Sequence, residues 1–144
     1  MSEIRKRKVV ILGSTGSIGT SALKVARQMP ERMEVVGLAA GTRVEELAAQ
    51  AKEFGVKNVS IADEGKREEL RGLVGSGTTV HAGTEGLIDL AVLEEADVVL
   101  VSIVGTDGLA PALAAIRAGK DLAVASKEIL VMAGEIVTRA AREA

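Results

Sequence analysis

The chain has 144 residues, with 18 basic and 20 acidic side chains and a formal net charge of −2. That length suits one domain with a real core, and so balanced a charge offers nucleic acid nothing to follow. Without cysteine and with His81 as the single histidine, disulfides, thiol catalysis and Cys/His zinc sites are excluded.

The basic run Arg5-Lys6-Arg7-Lys8 reads as a solvated lead-in. Residues 9–12, four aliphatics, then run straight into Gly13, Gly16 and Gly19, and an apolar-periodic segment follows over 22–29. This order predicts a buried parallel strand, a tight turn and a helix start. Gly13 would turn the chain off the strand, Gly16 would let an anion approach the backbone, and Gly19 would let the helix pack close to the sheet. Free N–H groups in the first helical turn favour a phosphate. Ser14, Thr15 and Ser17 add hydroxyl donors. The spacing is G-x-x-G-x-x-G, not the commoner G-x-G-x-x-G, so a glycine turn that binds nothing is the plainer alternative. The flanking strand and helix favour a dinucleotide pyrophosphate.

Strand and helix patterns alternate from there. Residues 33–40 read as a second strand and 44–54 as a helix, apolar at Val44, Leu47, Ala48, Ala51 and Phe54 and stopped by Gly55. Residues 57–62 read as a strand, 64–74 as a charged helix, 78–81 as a short strand and 84–93 as a short helix. Residues 97–104 form the strongest apolar run after the first. The loop Gly105-Thr106-Asp107-Gly108 leads into a helix over 109–118. Pro111 stands in its first turn, where a missing N–H costs nothing, and Gly119 is its stop. Residues 121–125 make a last strand, Ser126-Lys127-Glu128 leave its carboxyl end, and residue 133 opens a final helix.

Phe54 is the only aromatic residue, so the core is expected to be aliphatic, as in parallel strands covered by helices. Repeating βα units joined by right-handed crossovers predict an α/β fold, a doubly wound, mainly parallel sheet of the Rossmann-like, NAD(P)-binding kind. Ligands bind such sheets outside the carboxyl ends of the strands. That rule gathers residues 13–19, 41–43, 104–108 and 126–128 at one edge. No apolar run reaches 18 residues and no signal-peptide pattern opens the chain, which predicts a soluble, cytoplasmic protein with no membrane partner.

An NAD-specific site offers Asp or Glu at the end of the second strand for the ribose 2′-hydroxyl. Residues 36–40 hold no acid, and Glu34 lies at the strand's start. Gly41-Thr42-Arg43 instead offers backbone N–H, a hydroxyl and a guanidinium, which are donors for a 2′-phosphate. NADPH is therefore the expected cofactor. Arg43 as a merely exposed residue opening the second helix is the alternative.

Four segments together resemble the 1-deoxy-D-xylulose 5-phosphate reductoisomerase family. They are Gly13-Ser14-Thr15-Gly16-Ser17-Ile18-Gly19, Ala40-Gly41, Ile103-Val104-Gly105-x-x-Gly108-Leu109 and Ala125-Ser126-Lys127-Glu128-Ile129-Leu130-Val131; residues 113–120 match as well. The likeness covers the amino-terminal NADPH-binding domain of that family. It implies an NADP-dependent oxidoreductase of the methylerythritol phosphate route to isoprenoids. Such enzymes rearrange 1-deoxyxylulose 5-phosphate, a sugar phosphate held by magnesium or manganese, and reduce the product to 2-C-methylerythritol 4-phosphate. By position, Thr15, Gly16, Ser17 and Ile18 would hold the pyrophosphate, with Gly13 and Ser14 completing the turn. Gly41, Thr42 and Arg43 would take the 2′-phosphate end. Ser126 and Glu128 would lie by the nicotinamide, and Lys127 would reach the substrate.

The family usually carries Asn where Ser126 and Arg43 stand. Its metal ligands begin at an Asp-Ser-Glu motif a few tens of residues past the Lys-Glu pair, so residues 1–144 are expected to lack both metal site and catalytic domain. The full-length protein is expected to be a homodimer. Two rivals stay open at this level: a non-catalytic nucleotide-sensing module, and the cofactor domain of another reductase such as dihydrodipicolinate reductase or semialdehyde dehydrogenase.

Overall fold

The computed structural model describes residues 6–103 and 107–125. Its strands are β1 (Arg7–Leu12), β2 (Met33–Ala40), β3 (Asn58–Ile61), β4 (Thr79–Ala82), β5 (Val98–Val101) and β6 (Asp121–Val124). They form one sheet in the order β4-β3-β2-β1-β5-β6, every pairing parallel. The helices are α1 (Ser17–Gln28), α2 (Val44–Phe54), α3 (Arg67–Val74), α4 (Gly83–Ala91) and α5 (Leu109–Arg117), with a 3-10 turn at Glu64–Lys66. This is the doubly wound α/β architecture expected.

The alternation of β1 explains why both faces need cover. Val9 and Ile11 join Leu23, Ala26, Leu47 and Leu70 of α1, α2 and α3 on one face. Val10 and Leu12 join Leu87, Leu90, Ala112 and Ala115 of α4 and α5 on the other. Val10, Ile11 and Leu12 are wholly inaccessible to solvent, and each such aliphatic side chain contributes about 1.5–3 kcal/mol when fully buried. Cover on both faces thus follows from a run of residues with no polar side to show, as in parallel sheets.

Several boundaries differ from the sequence reading, each for a physical reason. β1 starts at Arg7, inside the basic run, because backbone pairing continues there. The Arg7 N–H donates to Arg32 O at 2.9 Å, and the Lys8 N–H donates to Asp97 Oδ2 at 2.9 Å. The Arg7 side chain ion-pairs with Asp121 of β6. α1 begins five residues before the apolar period, at Ser17, since its opening turn is polar and bonded: the Thr20 hydroxyl donates to Gly16 O at 2.9 Å. β5 stops at Val101; beyond it the Ser102 N–H still donates to Leu12 O at the end of β1, while the Ser102 hydroxyl bonds both Leu12 O and Gly13 O of the turn. α2 spans the residues expected and ends at Gly55, whose φ of +65° is left-handed. The expected final helix, from residue 133, lies outside the described residues.

α1 and α2 are clamped at the surface. The Arg27 guanidinium donates to Glu53 at 2.9 Å through Nη2 and lies 5.5 Å from the centre of the Phe54 ring. That hydrogen bond holds the Glu53 carboxyl below, and the Arg27 guanidinium above, its ordinary range. No helix among the described residues is long and apolar enough to cross a membrane.

Candidate functional site

In an all-parallel sheet the carboxyl ends of the strands share one edge. β1 lies between β2 and β5, and the chain winds away from it in opposite directions on the two sides. The crevice at that reversal is where such sheets take ligands.

The turn after β1 is held by its neighbours on both sides. The N–H groups of Gly13 and Ser14 both donate to Ala39 O of β2, each at 2.9 Å. From just past β5, the Ser102 N–H and hydroxyl each reach Leu12 O at 2.9 Å, and the hydroxyl also reaches Gly13 O at 3.2 Å. Gly13 has φ +97°, and a Cβ on it would sit 2.8 Å from Ser102 O. Only glycine fits there. Gln50 Nε2 of α2 donates to Ser14 O at 3.0 Å.

The other two glycines divide differently from the sequence reading. A Cβ on Gly19 would lie 2.1 Å from Gly13 O and 2.7 Å from Ser14 Cα. Gly19 therefore admits the turn itself against α1, not the sheet as expected. Gly16 is exposed, with φ −81° and ψ 178°, and a Cβ there would meet nothing nearer than Gly13 O at 3.7 Å. Nothing among the described residues demands glycine at that position. The open space beside it lies over the amino end of α1, which has no side-chain cap and no acid in its first turn. The N–H groups of Thr15, Ser17 and Ile18 find no acceptor among the described residues. Donors without an acceptor, beside a surface that a Cβ would fill, fit an anionic group.

Ser17 is exposed, Thr15 half-buried and the Ile18 side chain 50% exposed. Ser14 is fully buried, and its hydroxyl has no partner among the described residues. It serves the turn through its backbone.

The second turn follows β2. Gly41, Thr42 and Arg43 are all exposed, and a Cβ on Gly41 would meet nothing within 4 Å. Arg43 Nη1 pairs with Glu46 Oε1 at 3.0 Å. Both line a cleft of about 410 Å³ that also takes in Thr42, Glu45, Lys66 and Glu69. Glu34 stands at the opposite end of β2, in register with Lys8, far from any ribose at this edge. A wider cleft of about 600 Å³ opens at the amino ends of β1, β5 and β6. Arg7 pairs there with Asp121, and Lys120 Nζ donates to the Glu94 backbone carbonyl at 3.3 Å; the cleft lies at the wrong edge for the fold's ligand.

Of the remaining loops, Asp107 is exposed and Gly108 buried at the start of α5. Ser126, Lys127 and Glu128 lie outside the described residues, as do residues 104–106. His81 is on the outer strand β4, its ring nitrogens 3.4 Å from Asn58 Oδ1 and 3.3 Å from Asp89 Oδ2. Among the described residues no three His, Cys, Asp or Glu side chains converge on a point that could hold a metal. Sequence reasoning missed Gln50, Ser102 and Lys66. A polar residue closing an apolar strand was a usable signal for Ser102; Gln50 and Lys66 depend on which helix faces the turn.

A family model described as 1-deoxy-D-xylulose 5-phosphate reductoisomerase matches residues 9–134. The chain is 46% identical over 138 residues to the 1-deoxy-D-xylulose 5-phosphate reductoisomerase of Prosthecochloris aestuarii, an overlap of 95% of this chain and 36% of that protein. With its counterpart from Symbiobacterium thermophilum the identity is 49% over 142 residues, covering 95% and 37%. The solved reductoisomerase of Zymomonas mobilis in complex with NADPH aligns at TM-score 0.90 and 39% identity over 96% of this chain and 37% of that one. A biliverdin reductase from Synechocystis, 23% identical with TM-score 0.64, shares the fold alone. The chain spans little more than a third of the length of the curated relatives it matches. A match that begins in β1 and runs past β6, at this identity, places the chain in the 1-deoxy-D-xylulose 5-phosphate reductoisomerase family.

Proposed function

We propose that residues 1–144 are the NADPH-binding domain of a 1-deoxy-D-xylulose 5-phosphate reductoisomerase, whose metal-binding and catalytic residues belong to protein outside this span. Gly16 carries the reading: an exposed glycine that no described residue requires, beside N–H groups with no acceptor among the described residues at an uncapped helix end. A related structure containing NADPH, fosmidomycin and magnesium, 39% identical, supports it. When bound, NADPH supplies the hydride that reduces the rearranged sugar phosphate. The chain's own part is to hold and aim it. Thr15, Gly16, Ser17 and Ile18 receive the pyrophosphate on backbone N–H and hydroxyl donors, and Gly13 and Ser14 keep that turn in shape. Gly41, Thr42 and Arg43 receive the 2′-phosphate, with Lys66 in the same cleft offsetting part of the charge of Glu45, Glu46 and Glu69.

Ser126 and Glu128 beside the nicotinamide, and Lys127 on the substrate phosphate or an adjacent oxygen, complete the proposal; they rest on the sequence match through residue 134. A cytoplasmic, homodimeric full-length enzyme rests on family membership in the same way. The purified chain should bind NADPH yet not turn over 1-deoxy-D-xylulose 5-phosphate with magnesium or manganese. Measured turnover would overturn the division of labour.

Cofactor choice is tested through Arg43. A hydrogen bond to an ionised group contributes about 1.5–3 kcal/mol, but Arg43 must first leave Glu46, so the lower end applies. Arg43→Ala should weaken NADPH binding about tenfold, or roughly 1.4 kcal/mol, and leave NADH almost unchanged. Calorimetric titration of both cofactors into both proteins reads the ratio. Equal weakening of the two would remove Arg43 from the 2′-phosphate site.

A further inference from the structure

The Ser14–Thr15 peptide group is used on one side only. Its carbonyl accepts from Gln50 Nε2 on α2 at 3.0 Å, whereas its N–H, that of Thr15, has no acceptor among the described residues. A trans peptide is planar, so its C=O and N–H point in opposite directions. Holding Ser14 O toward α2 therefore turns the Thr15 N–H away from α2, to the open side of the turn. The two preceding N–H groups, of Gly13 and Ser14, are both committed to Ala39 O. Thr15 is thus the first donor of the turn left for a ligand.

The Gln50 amide is a poor choice for packing alone. Its Oε1 is buried without a partner among the described residues, a penalty that an apolar side chain of the same length would avoid. What such a side chain would lose is the bond to Ser14 O. We infer that Gln50 is a positioning residue for the cofactor, setting the Ser14–Thr15 peptide so that the Thr15 N–H faces the pyrophosphate. It acts from the helix whose amino end carries Arg43, and so ties the two phosphate-binding turns together. This inference rests on the NADPH site proposed above.

Gln50→Met keeps the length of the side chain and removes the donor; Gln50→Leu repeats the change in a different shape. The 144-residue chain and both variants are titrated with ADP, which has a pyrophosphate and no 2′-phosphate, and with 2′-AMP, which has the reverse. ADP binding should weaken about tenfold while 2′-AMP binding stays within about twofold. The Thr15 amide resonance should move in the ligand-free variants. Equal weakening of both probes, or an unmoved Thr15 resonance, would overturn the inference and leave Gln50 a packing residue. A wild-type chain that binds neither probe nor NADPH would overturn the cofactor site, while the Thr15 resonance would still report whether Gln50 sets the peptide.

Discussion

Gly16→Val should fold and lose its dinucleotide. The backbone at Gly16, φ −81° and ψ 178°, is extended and open to any L-residue. A Cβ there approaches only Gly13 O, at 3.7 Å, and replacing glycine at a helix amino cap by an apolar residue costs about 1 kcal/mol or less. The two added methyl groups instead fill the space over the uncapped end of α1. Losing two hydrogen bonds to an ionised phosphate removes about 3 kcal/mol or more, so NADPH affinity should fall by at least about 100-fold. Calorimetry with a melting curve on the same sample separates the two effects. Normal binding by the folded variant would place the pyrophosphate elsewhere.

Gly19→Ala, three residues on, should do the opposite kind of damage. One methyl group would stand 2.1 Å from Gly13 O and 2.9 Å from the Ser14 carbonyl carbon. Both are backbone atoms, and the turn they belong to is bonded to β2, β5 and α2, so nothing nearby can rotate aside. Overpacking of this kind costs typically 1–3 kcal/mol and occasionally more; with rigid backbone on one side, about 3 kcal/mol is expected. That is a large part of a domain's total stability, about 5–15 kcal/mol. The melting temperature should drop by roughly 10 °C. A variant that melts with the wild type would show that α1 can slide away from the turn.

These two glycines show what the sequence made legible and what it left out. A strand, three spaced glycines and a helix were readable because aliphatic runs and punctuation are local signals, and α2 came out with its true ends because Gly55 stops it. Family membership also removes the rival reductases, since the matching segments extend over residues 9–134. The target of Gly19 was not readable. Whether a missing Cβ admits a sheet, a turn or a ligand depends on how far the chain folds back on itself. The charged side chains of Arg7 and Lys8 read as lead-in, but the sheet recruits their backbones. Ser14 looked like a hydroxyl donor by type, and burial turned it inward. Gln50 gave no sign at all, because its bond to Ser14 spans 36 residues.

Ala39 O accepts two amides, those of Gly13 and Ser14. Freeing either means breaking the join between the carboxyl ends of β1 and β2 at the centre of the sheet. Exchange of those two hydrogens with solvent should therefore track opening of the whole domain, not fraying of a loop. If the pyrophosphate binds this turn as proposed, it meets donors already ordered, so little conformational entropy is surrendered on binding. Occupancy would then register as a uniform gain in the stability of the sheet, set by ligand concentration over dissociation constant.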